Sequence, residues 1–131
     1  MAIERKIRIE NDKGEPLEVN FKASANVPRM YRIWFRQDII KDMAELKKAA
    51  QRVSESGEEF STFELTMFEN IAYTMARLGG DVQNFPSIDE WFDGFSIFSI
   101  YEILPELLDL WNMNMETTSD AKKKQRKLTA K

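Results

Sequence analysis

Ile3-Glu4-Arg5-Lys6-Ile7-Arg8-Ile9-Glu10, a turn cluster Asn11-Asp12-Lys13-Gly14, and then Leu17-Glu18-Val19-Asn20-Phe21-Lys22 form the stretch that sets the architecture. Ile3, Ile7 and Ile9 fall on one face with Arg5 among them, and Glu4, Lys6, Arg8 and Glu10 fall on the other. Leu17, Val19 and Phe21 repeat that alternation after the turn. Period-2 patterning on both sides of a Gly-containing loop predicts a β-hairpin over residues 3–22. Two strands alone are marginal in water, so the apolar face must be covered, by helices of the same chain or by strands of a neighbouring copy.

The rest of the chain supplies helices. Phe35, Ile39, Met43, Leu46, Ala50 and Val53 step by three or four residues, with Ile33, Trp34 and Ile40 widening the stripe. This spacing predicts one long helix over 27–55, capped by Asn26 or Ser24, with Pro28 tolerated in its first turn and Gly57 beyond its end. A second helix is expected over 62–78. It opens on the capping box Ser61/Glu64, carries Phe63, Met67, Ile71, Met75 and Leu78 on one face and Leu65, Phe68 and Ala72 on another, and stops at Gly79-Gly80. Apolar over most of its circumference, it belongs at the centre of a small bundle. A short helix follows at Ser87/Glu90 with Trp91, Phe92 and Phe95. The last helix starts near Ser96 or Ser99, with Ser99/Glu102 as a third capping-box match, and the interior Pro105 should kink or restart it.

Charge divides the chain. The net charge is −3, but residues 116–131 carry +4, from Lys122, Lys123, Lys124, Arg126, Lys127 and Lys131 against Glu116 and Asp120, and the rest carries −7. The expected organisation is a hairpin-plus-helix domain over 1–115 and a flexible basic tail over 116–131. The fold class is therefore mainly α, a small helical bundle with an N-terminal β-hairpin and a disordered basic C-terminal tail.

The chain has no Cys and no His, which excludes disulfides, thiol catalysis, Cys-based zinc sites and His general-base chemistry. No phosphate-binding loop is present, because Gly79-Gly80 reads as a helix stop and no Lys-Ser or Lys-Thr follows it. Glu102, Glu106 and Asp109 share one helix face, which reads as the solvated side of an amphipathic helix rather than a metal or hydrolytic site. No catalytic residue, cofactor or metal is expected. The basic tail lacks interleaved aromatics and follows an acidic body, so nucleic-acid binding is a weak reading. Charged residues occupy the N-terminus where a signal peptide needs an apolar run, and no window reaches the ~20 apolar residues of a membrane span. A cytoplasmic protein without a membrane partner is expected.

Residues 85–111 hold Phe85, Trp91, Phe92, Phe95, Phe98, Tyr101 and Trp111, a density that leaves two readings open: a segment wholly in the core, or a core segment with some rings near the surface as a partner groove. Exposed aromatic patches mark protein interfaces. The clustering selects Trp91, Phe92, Phe95, Tyr101, Leu104, Leu108 and Trp111 as candidate partner contacts.

The order of features carries a resemblance. After the hairpin, Ala25-Asn26-Val27 opens a long helix. Met67-Phe68-Glu69-Asn70-Ile71-Ala72 follows, then an aromatic turn from Trp91 to Phe95, and finally Tyr101-Glu102-Ile103-Leu104-Pro105-Glu106 running to Leu110-Trp111. Over roughly residues 1–115 this resembles the tail assembly chaperones of long-tailed phages and prophages of Gram-positive bacteria, with Pro28 a departure from the pattern. The resemblance implies a helical, non-catalytic protein of the bacterial host cytoplasm that coats the tape measure protein. It would keep that partner soluble while tail tube subunits polymerise, then be displaced. It also implies a frameshifted long form as an expectation, the Lys122-Lys123-Lys124 run being compatible with an A-rich slippery stretch; a homo-oligomer is expected separately, from edge pairing of the hairpin between subunits. The competing expectation is a structural tail or connector protein retained in the virion.

Overall fold

The computed structural model describes residues 2–80 and 87–113. The expected tail over 116–131, and Phe85-Pro86 ahead of the short helix, lie outside them. The chain runs through β1 (Ile3–Glu10), β2 (Pro16–Ala23), α1 (Asn26–Phe35), α2 (Ile39–Ser56), α3 (Thr62–Leu78), α4 (Ile88–Phe92), a 3₁₀ turn (Tyr101–Ile103) and α5 (104–113). It is mainly helical with an N-terminal antiparallel hairpin, as the patterning required.

The hairpin forms in the register set by its apolar face. Ile7 pairs with Val19, Ile9 with Leu17, and Ile3 with Ala23. The Asn11 side chain closes the turn, its Oδ1 accepting from the backbone N–H groups of Lys13 and Glu15 at 2.9 Å each, and Gly14 takes the left-handed φ of 81°. Ile7, Ile9, Val19, Phe21 and Ala23 are buried. α3 packs on β2, so helices of the same chain cover this face.

α3 occupies the centre, touching β2, α1, α2 and α4, and residues 71–76 are buried without a break. Its capping box is complete: Ser61 Oγ accepts from the Glu64 N–H and Glu64 Oε1 accepts from the Ser61 N–H. At the other end the helix meets β2 so closely that Gly79 is required. A Cβ there would stand 2.0 Å from the Asn20 carbonyl oxygen.

Three expectations are corrected. The long helix over 27–55 is two helices. Arg36 adopts φ 56°, ψ 38° and closes α1 with its N–H on the Arg32 carbonyl, and Asp38 caps α2, accepting from the Ile40 and Lys41 N–H groups. Ile39, Met43, Leu46 and Ala49 carry the buried stripe of α2, while Ile33 and Ile40 face out. α1 has no side-chain cap: Ala25 holds the N-cap position, with Pro28 in the first turn. The last helix begins at 104, not at 96 or 99. Ser99 does not cap it, because its hydroxyl donates to the Glu10 carbonyl at 2.8 Å instead. Pro105 then lies in the first turn of α5, where a missing N–H costs nothing.

Candidate partner-binding surface

The aromatic cluster is built around Trp91. Ser87 Oγ accepts from the Glu90 N–H and starts α4, which delivers the indole between β2 and α3. Its ring lies edge-on to Phe95 at 4.9 Å, Phe92 at 5.2 Å, Tyr73 at 5.7 Å and Phe21 at 6.5 Å. Tyr73 passes the packing on to Trp34 and Phe35, and Arg77 lies over the Trp34 ring at 4.4 Å from its centroid. Edge-to-face contacts of this kind add to what burial alone contributes.

The structure thus brings Trp91, Phe92 and Phe95 together, but inward. Trp91 and Phe95 are buried and Phe92 is half-buried. Leu104, Leu108 and Trp111 line the inner side of α5 in the same core. Tyr101 is half-buried, packs on Phe68, and donates its hydroxyl to Glu69 Oε2 at 2.8 Å. Burial, then that hydrogen bond, pushes the Tyr101 phenol up to about 12. Five of the seven candidate contacts are therefore core residues of the folded chain. A density of rings within one segment reports the core that segment fills before it reports any surface.

Accessible apolar surface lies elsewhere. Ile97 is 78% exposed, Phe98 72% and Phe63 71%. Phe63 stands in the first turn of α3, at the exposed start of the face that Met67 and Ile71 bury further along the helix. Ile97 and Phe98 stand on a turn pinned along its length. The Ser96 N–H donates to the Glu10 carbonyl at 3.1 Å, Ser99 Oγ donates to the same oxygen, and the Tyr101 N–H donates to the Phe98 carbonyl. Immediately upstream, Asn11 pairs with Phe95 as an isolated antiparallel bridge and the Asp12 N–H donates to the Gly94 carbonyl. Segment 94–96 so extends the end of β1. The turn after it carries two large apolar side chains outward from a fixed base. Sequence reasoning passed over Ile97, because no helical or strand period runs through 94–100. The signal available was local: two apolar residues between Ser96 and Ser99, outside any periodic stripe.

Carboxylates surround this turn. Glu10, Asp12 and Glu102, all exposed, line a cleft of about 600 Å³ together with Phe95 and Phe98. A neighbouring cleft of about 400 Å³ shares Asp12 and Phe95 and adds Leu17 and Glu18. A third, of about 630 Å³, lies between α1 and α2 with Arg32, Arg36, Asp38 and Ile40 on its walls. What the Ile97–Phe98 surface offers chemically is burial of apolar side chains beside negative charge. Among the described residues, no group of three or more His, Cys, Asp or Glu side chains is arranged to hold a metal ion, and no helix is long and apolar enough to cross a membrane. Glu102, Glu106 and Asp109 are exposed, and Asp109 pairs with Arg5 at 3.1 Å, fastening α5 to β1. No family model, curated protein or solved structure matches the chain.

Proposed function

We propose that this protein is a non-catalytic tail assembly chaperone of a long-tailed phage or prophage, binding and solubilising the tape measure protein in the host cytoplasm during tail morphogenesis. The observation that carries the reading is the set of large apolar side chains, Phe63, Ile97 and Phe98, held outside a body whose core is already filled. Such surface is a liability for a protein that works alone and an asset for one that covers an apolar partner. The hairpin-plus-helix order agrees with the resemblance from which the reading started.

The physics suits the role. An amphipathic helix binds an apolar surface through anchors at i, i+3, i+4 and i+7. Few anchors per protomer give weak contacts, and many protomers along one tape measure supply the avidity that each lacks. Weak single contacts also let tail tube subunits displace the chaperone.

The test is co-expression with the neighbouring tape measure protein. The expected result is that the partner moves into the soluble fraction and co-purifies. A partner that stays insoluble beside a well-expressed chain would remove the reading. Purified particles are expected to lack this protein; its retention there would favour the structural tail or connector alternative.

A further inference from the structure

We infer that the Ile97–Phe98 turn is the docking point for an amphipathic helix whose apolar anchors are flanked by Lys or Arg. This names the partner chemistry and rests on the reading of the chain as a binder of a helical protein. Three observations carry it. First, among the described residues the two side chains are the most exposed large apolar pair on consecutive positions, and their base is fixed by the hydrogen bonds from Ser96, Ser99 and Tyr101. A ligand that covers them does not have to order the turn first, so little of the binding energy goes into organising it. Second, the side chains beside them are of one sign. Glu10, Asp12 and Glu102 line the same cleft, and Glu18 lines the adjoining one, with Lys13 of the hairpin turn the basic neighbour of Asp12 in sequence. Third, the other large cleft differs. Arg32 and Arg36 outnumber the one carboxylate, Asp38, beside Ile40 there, so the two clefts on one molecule differ in the sign of their charge. A helix with acidic flanks placed on Phe98 would set carboxylates against carboxylates; one with basic flanks would be steered in and held in register.

The experiment uses the full chain and two labelled synthetic peptides of about five helical turns, with the same Leu anchors at i, i+3, i+4 and i+7. One carries Lys flanks and the other Glu flanks, and binding is followed by fluorescence anisotropy. The Lys-flanked peptide is expected to bind at least about 10-fold more tightly at low salt. The gap should narrow as the screening length falls below ~10 Å above 0.1 M salt. Phe98→Ser and Ile97→Ser should each weaken binding by about 10-fold or more. Both side chains point outward, so the variants should fold, and circular dichroism checks that they do. Asp12→Lys with Glu102→Lys should reverse the preference between the peptides. Ile40→Ser, in the Arg-lined cleft, should leave affinity for the Lys-flanked peptide unchanged.

Equal affinity for both peptides overturns the proposal, as does indifference to Phe98→Ser or a loss caused by Ile40→Ser. Deletion of 116–131 that raises affinity about 10-fold would make the chain's own basic tail the occupant. A dimer broken by Phe98→Ser would make it a second copy. Either result overturns the assignment to a helical partner. Peptide binding with failed solubilisation of the tape measure protein would keep this inference and remove the chaperone reading; the reverse pair of outcomes would do the opposite.

Discussion

Tyr31 and Asp42 are both buried, and the phenol donates to Asp42 Oδ2 over 2.6 Å, joining α1 to α2 across the break between them. Burial, reinforced by that hydrogen bond and by the neighbouring carboxylate, holds the Tyr31 phenol well above the ordinary tyrosine range. Removing the hydroxyl leaves a buried carboxylate short of its donor, which typically costs about 1–3 kcal/mol. Tyr31→Phe is expected to lower stability by that amount in urea unfolding at pH 7. The sign of the pH effect follows from the raised values. A phenol that is harder to ionise in the folded state contributes stability present in full below pH 10, the ordinary value, and lost as pH rises above it, through about 12 for Tyr101. The wild-type protein should therefore lose stability steeply above pH 10, and Tyr31→Phe less steeply, because only Tyr101 of this pair remains to titrate. Gly79 answers to sterics instead. A methyl group there would meet the Asn20 carbonyl oxygen at 2.0 Å and its carbon at 2.8 Å. Neither belongs to a flexible side chain that can swing aside, and the Asn20 amide donates to the Gly79 carbonyl at 3.1 Å. Gly79→Ala is expected to destabilise by about 1–3 kcal/mol, read as a lower thermal midpoint with shifted Asn20 amide resonances.

At the scale of elements, α3 is the part on which everything else is laid, and its start is defined by charge. Arg52 of α2 reaches Glu64 with Nη2 on Oε1 at 2.6 Å and Nη1 on Oε2 at 3.0 Å, a bidentate pair. The guanidinium, and then the backbone N–H of Ser61, hold the Glu64 carboxyl down to about 2. A lowered carboxyl contributes stability present above its ordinary value of 4.5 and lost as pH falls toward about 2. Arg52→Ala should move the Glu64 midpoint upward, measured by following its carboxyl carbon by NMR. The residue should stay below the ordinary value, because the Ser61 N–H still donates to it. The boundaries of α3 were legible because Ser61, Glu64 and Gly79-Gly80 are chemical signals with one meaning. The break between α1 and α2 was harder to read. Phe35 and Ile39 are four apart, so the apolar period runs straight across Arg36, and no Gly or Pro marks the left-handed residue. The helix start was nonetheless encoded in Asp38, whose carboxylate caps α2. Ser99 shows the converse: its spacing to Glu102 fitted a capping box, yet a strand end 89 residues earlier took its hydroxyl. Local pattern cannot weigh a partner so distant in the chain.

For the whole molecule, the division between inside and outside carries the functional argument. The hairpin face and the helical stripes could be read from the chain because periodicity tells which side of an element is apolar. Which large rings remain outside depends on how the aperiodic segment 94–100 folds onto the end of β1, and that was not legible. Trp111 and Phe98 make the difference measurable. Both are large aromatics of one segment, yet Trp111 is 5% exposed and belongs to the core that joins α5 to the rest of the molecule. Trp111→Ala deletes a buried ring and leaves a cavity, at a cost of about 3–5 kcal/mol, a large share of what holds a domain of this size together. Any loss of partner binding in that variant would follow from unfolding. Phe98→Ser removes a ring that few neighbours touch, and stability should change by no more than about 0.5 kcal/mol. The two variants are therefore expected to separate: a large fall in the urea midpoint for Trp111→Ala, an unchanged midpoint for Phe98→Ser, and failure of both to keep a co-expressed tape measure protein soluble. A Phe98→Ser protein that folds normally and still keeps that partner soluble would show that the exposed turn is not where the partner sits.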